Sequence, residues 1–163
     1  MMETNRLLLR PWHEDDAEIL FKYASDPDIG NAAGWLPHTS VEMSRQVICD
    51  YFSAPETYAV VLRDTNEPVG CCGLVPPGMR PNDYIGKDDA EIGYWIGKPY
   101  WGQGLIPEAV NAIIIHAFSK LKKKTLWIGF YPENIKSRRV AEKCGFRYHH
   151  EADNEVFFSR TAE

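Results

Sequence analysis

The stretch Gly97-Lys98-Pro99-Tyr100-Trp101-Gly102-Gln103-Gly104-Leu105-Ile106-Pro107-Glu108-Ala109 joins a β-rich segment to a helical one through a glycine-rich turn. Glycines let a backbone approach a ligand closely, and the free N–H groups at a helix start point at whatever sits before them. Together they make a site for an anion such as a phosphate. Pro107 suits the first helical turn, where its missing N–H breaks no helical bond. A Gly-x-Gly turn is also a common tight connection, so the pattern needs company. Some comes from Asn134 to Gly145, where an N-cap residue and a left-handed C-cap residue bound a short helix. Ser137, Val140, Ala141 and Cys144 share the inward face of that helix, which turns the Ser137 hydroxyl into the body of the protein. Glu108 stands in a first helical turn, where the dipole favours a carboxylate, and reads as structural. Trp35 and His38 in Gly34-Trp35-Leu36-Pro37-His38 either line a pocket that holds an amine or are a core aromatic and a surface residue before a cap. Tyr84, Asp88 and Asp89 either draw in a cation or are solvated loop residues.

Each of these groups needs an element to hold it. Residues 6–11 read as a short strand ended by Pro11. Ala17, Leu20, Phe21 and Ala24 recur at helical spacing and predict an amphipathic helix over 13–25. A second helix is expected over 40–53, opened by Thr39 with Glu42 three residues on, as in a capping box. Residues 58–63 and 69–75 are β-rich and flank Asp64-Thr65-Asn66-Glu67-Pro68, which reads as a hairpin. A long Pro-, Gly- and Asp-rich loop over 76–89 leads to a fourth strand over 91–97. Beyond the glycine turn, Val110, Ile113, Ile114, Ala117 and Leu121 describe a long helix with one buried face. A strand over 125–131 enters the Asn134 helix, and the last strands fall at 147–151 and 155–159. No repeat, low-complexity tract or linker interrupts the series, which predicts one domain over 1–163.

At 163 residues the chain is long enough to bury a sizeable core. Hydrophobic residues at 44% and charged residues at 25% are ordinary for a globular protein. The longest apolar run, near 112–117, is broken by His116, so no membrane span is expected. The first residues lack a secretory signal, which points to the cytoplasm. Cys49, Cys71, Cys72 and Cys144 have no zinc spacing; they read as reduced thiols, with the adjacent Cys71 and Cys72 on opposite faces of a strand. A formal net charge of −5 argues against nucleic-acid binding and suits a cationic substrate. The basic run Lys120 to Lys124 reads as a helix C-terminus meeting its dipole.

In order along the chain stand Thr4-Asn5-Arg6-Leu7-Leu8-Leu9-Arg10-Pro11, Glu91-Ile92-Gly93-Tyr94-Trp95-Ile96, Tyr100-Trp101-Gly102-Gln103-Gly104, Pro107-Glu108-Ala109, Asn134 with Ser137, and Glu142-Lys143-Cys144-Gly145-Phe146. The set resembles the GNAT superfamily of acetyl-CoA-dependent N-acetyltransferases. Within it the chain is similar to the branch of RimJ/RimL-type ribosomal-protein N-terminal acetyltransferases, over residues 4–150. The resemblance implies an α+β fold, an α/β/α sandwich. Its mixed, mostly antiparallel sheet would have six to seven strands, the fourth and fifth splayed apart, with about four helices.

The same resemblance implies a coenzyme site. Gly102, Gln103, Gly104, Leu105 and Ile106 would offer backbone amides to the pyrophosphate of acetyl-CoA, beside Trp101. Trp95 and Ile96 would pair their backbone with the pantetheine arm, and an amide there would stabilise a tetrahedral oxyanion. Asn134 would bond the pantetheine, and Ser137 would sit near the sulfur. Pro99 stands where the superfamily often has Gln or Arg, and Ala141 where many members have a tyrosine general acid; Ser137 is then the natural substitute, as a weak acid or only as a stabiliser of the leaving sulfur, unless it is a helix-face hydroxyl bonded to backbone. An amine would attack the thioester directly, with Glu91 as its base through water, unless Glu91 is only a solvated strand carboxylate. The acceptor, a protein N-terminus or small amine, would meet the 30–40 segment with Trp35 and His38, the 76–89 loop with Tyr84, and the C-terminal hairpin. The resemblance implies no metal, and a monomer or homodimer. The alternatives are a catalytically weak acyl-CoA-binding or regulatory module and a purely structural domain; the intact turn and Asn134 argue against the latter.

Overall fold

The computed structural model describes residues 1–80 and 82–162, leaving Pro81 of the predicted loop and the terminal Glu163 outside. Eight strands form one sheet: β1 (Met2–Glu3), β2 (Leu7–Arg10), β3 (Thr57–Leu62), β4 (Glu67–Leu74), β5 (Ala90–Ile96), β6 (Thr125–Phe130), β7 (Arg147–Ala152) and β8 (Glu155–Thr161). Their order across the sheet is β1-β2-β3-β4-β5-β6-β8-β7, and every neighbouring pair is antiparallel except β5 with β6. Strands β3 and β4 are buried on both faces, which explains their near-continuous apolar runs; β7, at the edge, is mostly exposed.

Helices cover both faces. On one, α1 (Ala17–Ala24) and α3 (Val41–Val47) close a core containing Trp12, Leu20, Ile48, Val61 and Cys71. On the other, α4 (Leu105–Ser119) and α5 (Ile135–Lys143) close a larger core with Cys72, Ile113, Ile128 and Phe158. Adjacent Cys71 and Cys72 thus enter opposite cores, as the strand period of two requires. In α4 the buried stripe is Leu105, Ile106, Ala109, Val110, Ile113, Ile114 and Ala117, the face expected from spacing. Leu121 lies beyond the helix end but still packs against that core.

The architecture exceeds the expectation by one strand and one helix. The additional strand is the two-residue β1. The additional helix, α2 (Pro27–Ala33), starts where Asp26 Oδ1 accepts from the Asp28 N–H at 2.9 Å, and ends at Gly34. The predicted box of Thr39 and Glu42 does not form. Ser40 caps α3 instead, its hydroxyl accepting from the Met43 N–H at 3.0 Å, while Glu42 pairs with Arg45. Past α3 the chain continues through a wider turn over Ile48–Phe52, within the predicted helical span.

The feature that makes a site is the parallel pair. Strands β5 and β6 pair only at Ala90↔Leu126 and Glu91↔Trp127. Beyond these positions they diverge, with β5 running on to Ile96 and β6 to Phe130. The sheet is open there.

Candidate active site

A cleft of about 1340 Å³ fills this opening, walled by β5 from Ile92 to Ile96, the glycine turn, the start of α4, Gly129 to Tyr131 and the inner side of α5. At its floor Gly102 and Gly104 adopt φ 77° and 75°, left-handed values that glycine reaches without strain. No N–H of Gly102, Gln103, Gly104, Leu105 or Ile106 donates to a protein acceptor among the described residues. Several donors therefore face the cleft where a helix dipole begins, the arrangement that binds phosphate. The Gln103 side chain folds back on the Pro99 carbonyl at 3.2 Å, and Gln103 does not line the cleft. Trp101 braces the turn, its indole N–H donating to the Ile96 carbonyl at 3.0 Å.

The turn is also held from behind. Glu108 accepts from the Thr4 hydroxyl at 2.5 Å, the Arg6 N–H at 2.9 Å and Arg6 Nε at 2.8 Å. Burial alone would raise this carboxyl, but these bonds outweigh it and hold it below the usual carboxylate range. Glu108 is structural, as its position in the first turn implied.

Helix α5 forms the facing wall. Asn134 caps it, Oδ1 accepting from the Ser137 N–H at 3.1 Å, and Nδ2 reaches the Ala32 carbonyl of α2 at 3.5 Å. Lys136, Arg139 and Lys143 recur at i, i+3 and i+7 and line the same cleft. The Lys136 ammonium lies 3.3 Å from the centre of the Trp101 ring, across the floor. Sequence reasoning missed this basic face; the Lys-Ser-Arg-Arg-Val-Ala-Glu-Lys spacing carried the signal. Ser137 is buried, and its Oγ lies 2.5 Å from the hydroxyl of Tyr94 on β5. Tyr94 was also missed. Ala141, where a tyrosine was noted as lacking, is fully buried in the core.

Strand register decides which backbone faces the opening. The Gly97 N–H donates to Val69 O at 2.7 Å and the Val75 N–H to Glu91 O at 2.8 Å, both at the β4–β5 boundary. Ladder bonds on an antiparallel strand alternate, so Gly93 and Trp95 turn their backbone groups toward β4, while Tyr94 and Ile96 turn theirs toward the opening. Of the expected pair, Ile96 turns its backbone to the opening, its carbonyl already taken by the Trp101 indole so that only its N–H is left for a ligand, and Trp95 does not. The Trp95 side chain instead packs on the α1/α3 face, its ring centre 6.1 Å from that of Trp35, and its indole N–H is buried without a protein partner among the described residues.

Glu91 is only 5% exposed and sits where the parallel pairing ends. Burial pushes its carboxyl up; Arg80, 3.4 Å away, opposes this and Glu155 adds to it, leaving it at about 7. Arg80 also pairs with Glu155, so a carboxylate–guanidinium–carboxylate chain runs from Glu91 to the cleft wall. Among the other expected acceptor residues, Trp35 lines the cleft. His38 does not: it is buried, its Nδ1 is 2.8 Å from Ser44 Oγ, and burial pushes its pKa down. Its polar partner lies inside the protein, so it ties the segment to α3. Tyr84 is also not brought to the cleft; it packs on His150, ring centres 3.8 Å apart, and is otherwise exposed. Lys98 pairs with Asp28 at 2.5 Å and fastens α2 to the short helical turn over Lys98–Tyr100, between β5 and the glycine turn.

No group of three or more His, Cys, Asp or Glu side chains able to hold a metal occurs among the described residues. No helix of the described residues is long and apolar enough to cross a membrane.

A sheet opened at its parallel pair, with a glycine turn and a helix start facing the opening, defines the class as an acyltransferase fold. The chain belongs to the GNAT acetyltransferase family, whose acetyltransferase (GNAT) domain model matches residues 6–147. It is similar to the N-acetyltransferase p20 of Bacillus licheniformis, 28% identical over 151 residues, covering 88% of this chain and 80% of that protein. A shorter segment of 57 residues, 35% of this chain and 32% of the relative, is 37% identical to the ribosomal-protein-serine acetyltransferase of Escherichia coli. Among solved structures, a GNAT-family acetyltransferase from Bacillus anthracis superposes with a TM-score of 0.83, covering 98% of this chain and 97% of that one at 24% identity.

Proposed function

We propose that this chain transfers the acetyl group of acetyl-CoA to a primary amine, either a protein N-terminus or a small molecule. The observation that carries the reading is the meeting, in one cleft, of Gly102, Gly104, Leu105 and Ile106, whose N–H groups have no protein acceptor among the described residues, with the Ser137 hydroxyl. A diphosphate would sit on the N–H groups, with Lys136, Arg139 and Lys143 supplying charge for the coenzyme's phosphates. From there the pantetheine arm would run along the free edge of β5, past the backbone of Ile96 and Tyr94, and reach Ser137. The spare N–H of Asn134 Nδ2 would bond an amide of that arm. An N–H on this edge of β5 would stabilise the tetrahedral oxyanion.

The amine enters from the α1/α3 face, past Trp35 and Trp95. It must lose a proton to attack, and Glu91, held at about 7, takes protons at neutral pH through water at the Arg80–Glu155 end of the cleft. The C–N bond forms, the C–S bond breaks, and the sulfur leaves as a thiolate facing Ser137. The negative charge of the chain favours a cationic acceptor, and the name of the Escherichia coli relative favours a ribosomal protein among the candidates.

The test is calorimetric titration with acetyl-CoA, followed by thiol release on a panel of amines and N-terminal peptides. Binding with turnover supports the reading. Binding without turnover on any acceptor leaves the acyl-CoA-binding module, and no binding overturns the assignment of the glycine turn.

A further inference from the structure

Tyr94 stands on β5 at a position whose side chain faces the α4/α5 core, directly across the opening from the first inward residue of α5. Its hydroxyl lies 2.5 Å from Ser137 Oγ and 3.4 Å from the Ser137 carbonyl. Ser137 makes no other side-chain hydrogen bond among the described residues, its backbone N–H being used by Asn134. A phenol is a stronger acid than an aliphatic alcohol, so in this pair Tyr94 donates and Ser137 accepts. One serine lone pair is then occupied, and the serine proton is free to point away from the phenol. Both residues line the cleft, and the cleft is the open direction.

We propose that Tyr94 is a positioning residue that fixes the Ser137 hydroxyl as a hydrogen-bond donor to the sulfur of the acyl donor. The inference rests on the acetyl-transfer reading above. Ala141 offers no hydroxyl at its place on α5, so the polar pair is assembled from β5 instead. The phenol does not itself supply the proton. Burial pushes its pKa up, so it stays protonated and acts through its hydrogen bond. In the step concerned, the tetrahedral intermediate collapses, the electron pair of the C–S bond passes to sulfur, and the thiolate accepts the Ser137 hydrogen bond. The amine's proton leaves through Glu91 and water.

The test compares wild type, Tyr94→Phe, Ser137→Ala and the double variant. Phenylalanine keeps the ring and its apolar contacts, and thermal melting checks that each variant folds. With acetyl-CoA and any accepted amine, Tyr94→Phe is expected to lower kcat about tenfold or more with KM for acetyl-CoA unchanged. The double variant should be no slower than Ser137→Ala, because the phenol acts only through the serine. A second readout needs no acceptor: the thiol of bound CoA, titrated by thiolate absorbance, should rise in pKa by about one unit in both single variants. A merely structural tyrosine would leave that titration alone. Unchanged kcat and unchanged thiol titration in Tyr94→Phe overturn the proposal while leaving the functional reading intact. Failure of the wild-type chain to bind CoA overturns the functional reading, and the proposal falls with it.

Discussion

Arg6 and Glu108 stand 102 positions apart, yet Arg6 gives both its backbone N–H and its Nε to the Glu108 carboxylate, while its Nη1 reaches the Gln103 carbonyl at 2.9 Å. One guanidinium therefore ties the first turn of α4 to the glycine turn before it, on the side away from the cleft. With the Gln103 carbonyl held backward, the Gly104 N–H of the same trans peptide points the other way.

Arg6→Met should loosen the turn without removing a ligand contact. Arg6 is almost half exposed, so the expected loss is modest, about 0.5–1.5 kcal/mol of acetyl-CoA binding, or a few-fold to tenfold in Kd. Isothermal titration against wild type checks it. An unchanged Kd with a lowered melting temperature would show that the clamp serves the fold alone.

Gly104→Val addresses the turn itself. At φ 75° a non-glycine residue costs roughly 1–2 kcal/mol, more when β-branched, and the new side chain would also obstruct close approach of a diphosphate. Binding of acetyl-CoA should fall below detection in the same titration, while circular dichroism reports an intact fold. Wild-type affinity in this variant would remove the turn from the site.

How much of this was legible beforehand follows from the range of each interaction. The turn, the buried stripe of α4 and the Asn134 cap are written within a few residues of one another, and local sequence displays them. Helix α2 has seven residues with one large buried side chain, Ile29, so periodicity could not announce it; its Asp26-Pro27 start and Gly34 stop were the available signals. Which of Trp95 and Ile96 faces the opening depends on the parity of the β4–β5 ladder, and one residue of slip reverses it. The Tyr94–Ser137 contact spans 43 positions between a strand and a helix, and no local pattern encodes it. His38 reads alike whether buried or exposed; only packing on Ser44 distinguishes them.

The basic face of α5 gives a prediction in salt. On the proposed reading Lys136, Arg139 and Lys143 would act on the coenzyme's phosphates across solvent, where screening is strong above about 0.1 M ionic strength. Lys143→Glu should weaken acetyl-CoA binding several-fold at low salt and flatten its dependence on ionic strength. Titrations at low and high sodium chloride check both. An equal loss at every salt concentration would mean that the lysine supports the helix rather than the ligand.

Glu91 gives the prediction that separates a base from a buried carboxylate. Its folded-state pKa of about 7 lies above the ordinary 4.5, chiefly through burial, so the folded chain holds this proton more tightly than the unfolded chain does. The group's contribution to stability is therefore complete below about pH 4.5 and is lost as pH rises through about 7. Glu91→Gln removes that loss: its melting temperature relative to wild type should climb between pH 5 and pH 8. If Glu91 is the base, wild-type kcat/KM rises through an apparent pKa near 7, and Glu91→Gln loses both that limb and about a hundredfold in rate. Stability gained with the rate profile kept would leave Glu91 a buried partner of Arg80, and the base would be sought at Glu155, where the same chain reaches the cleft.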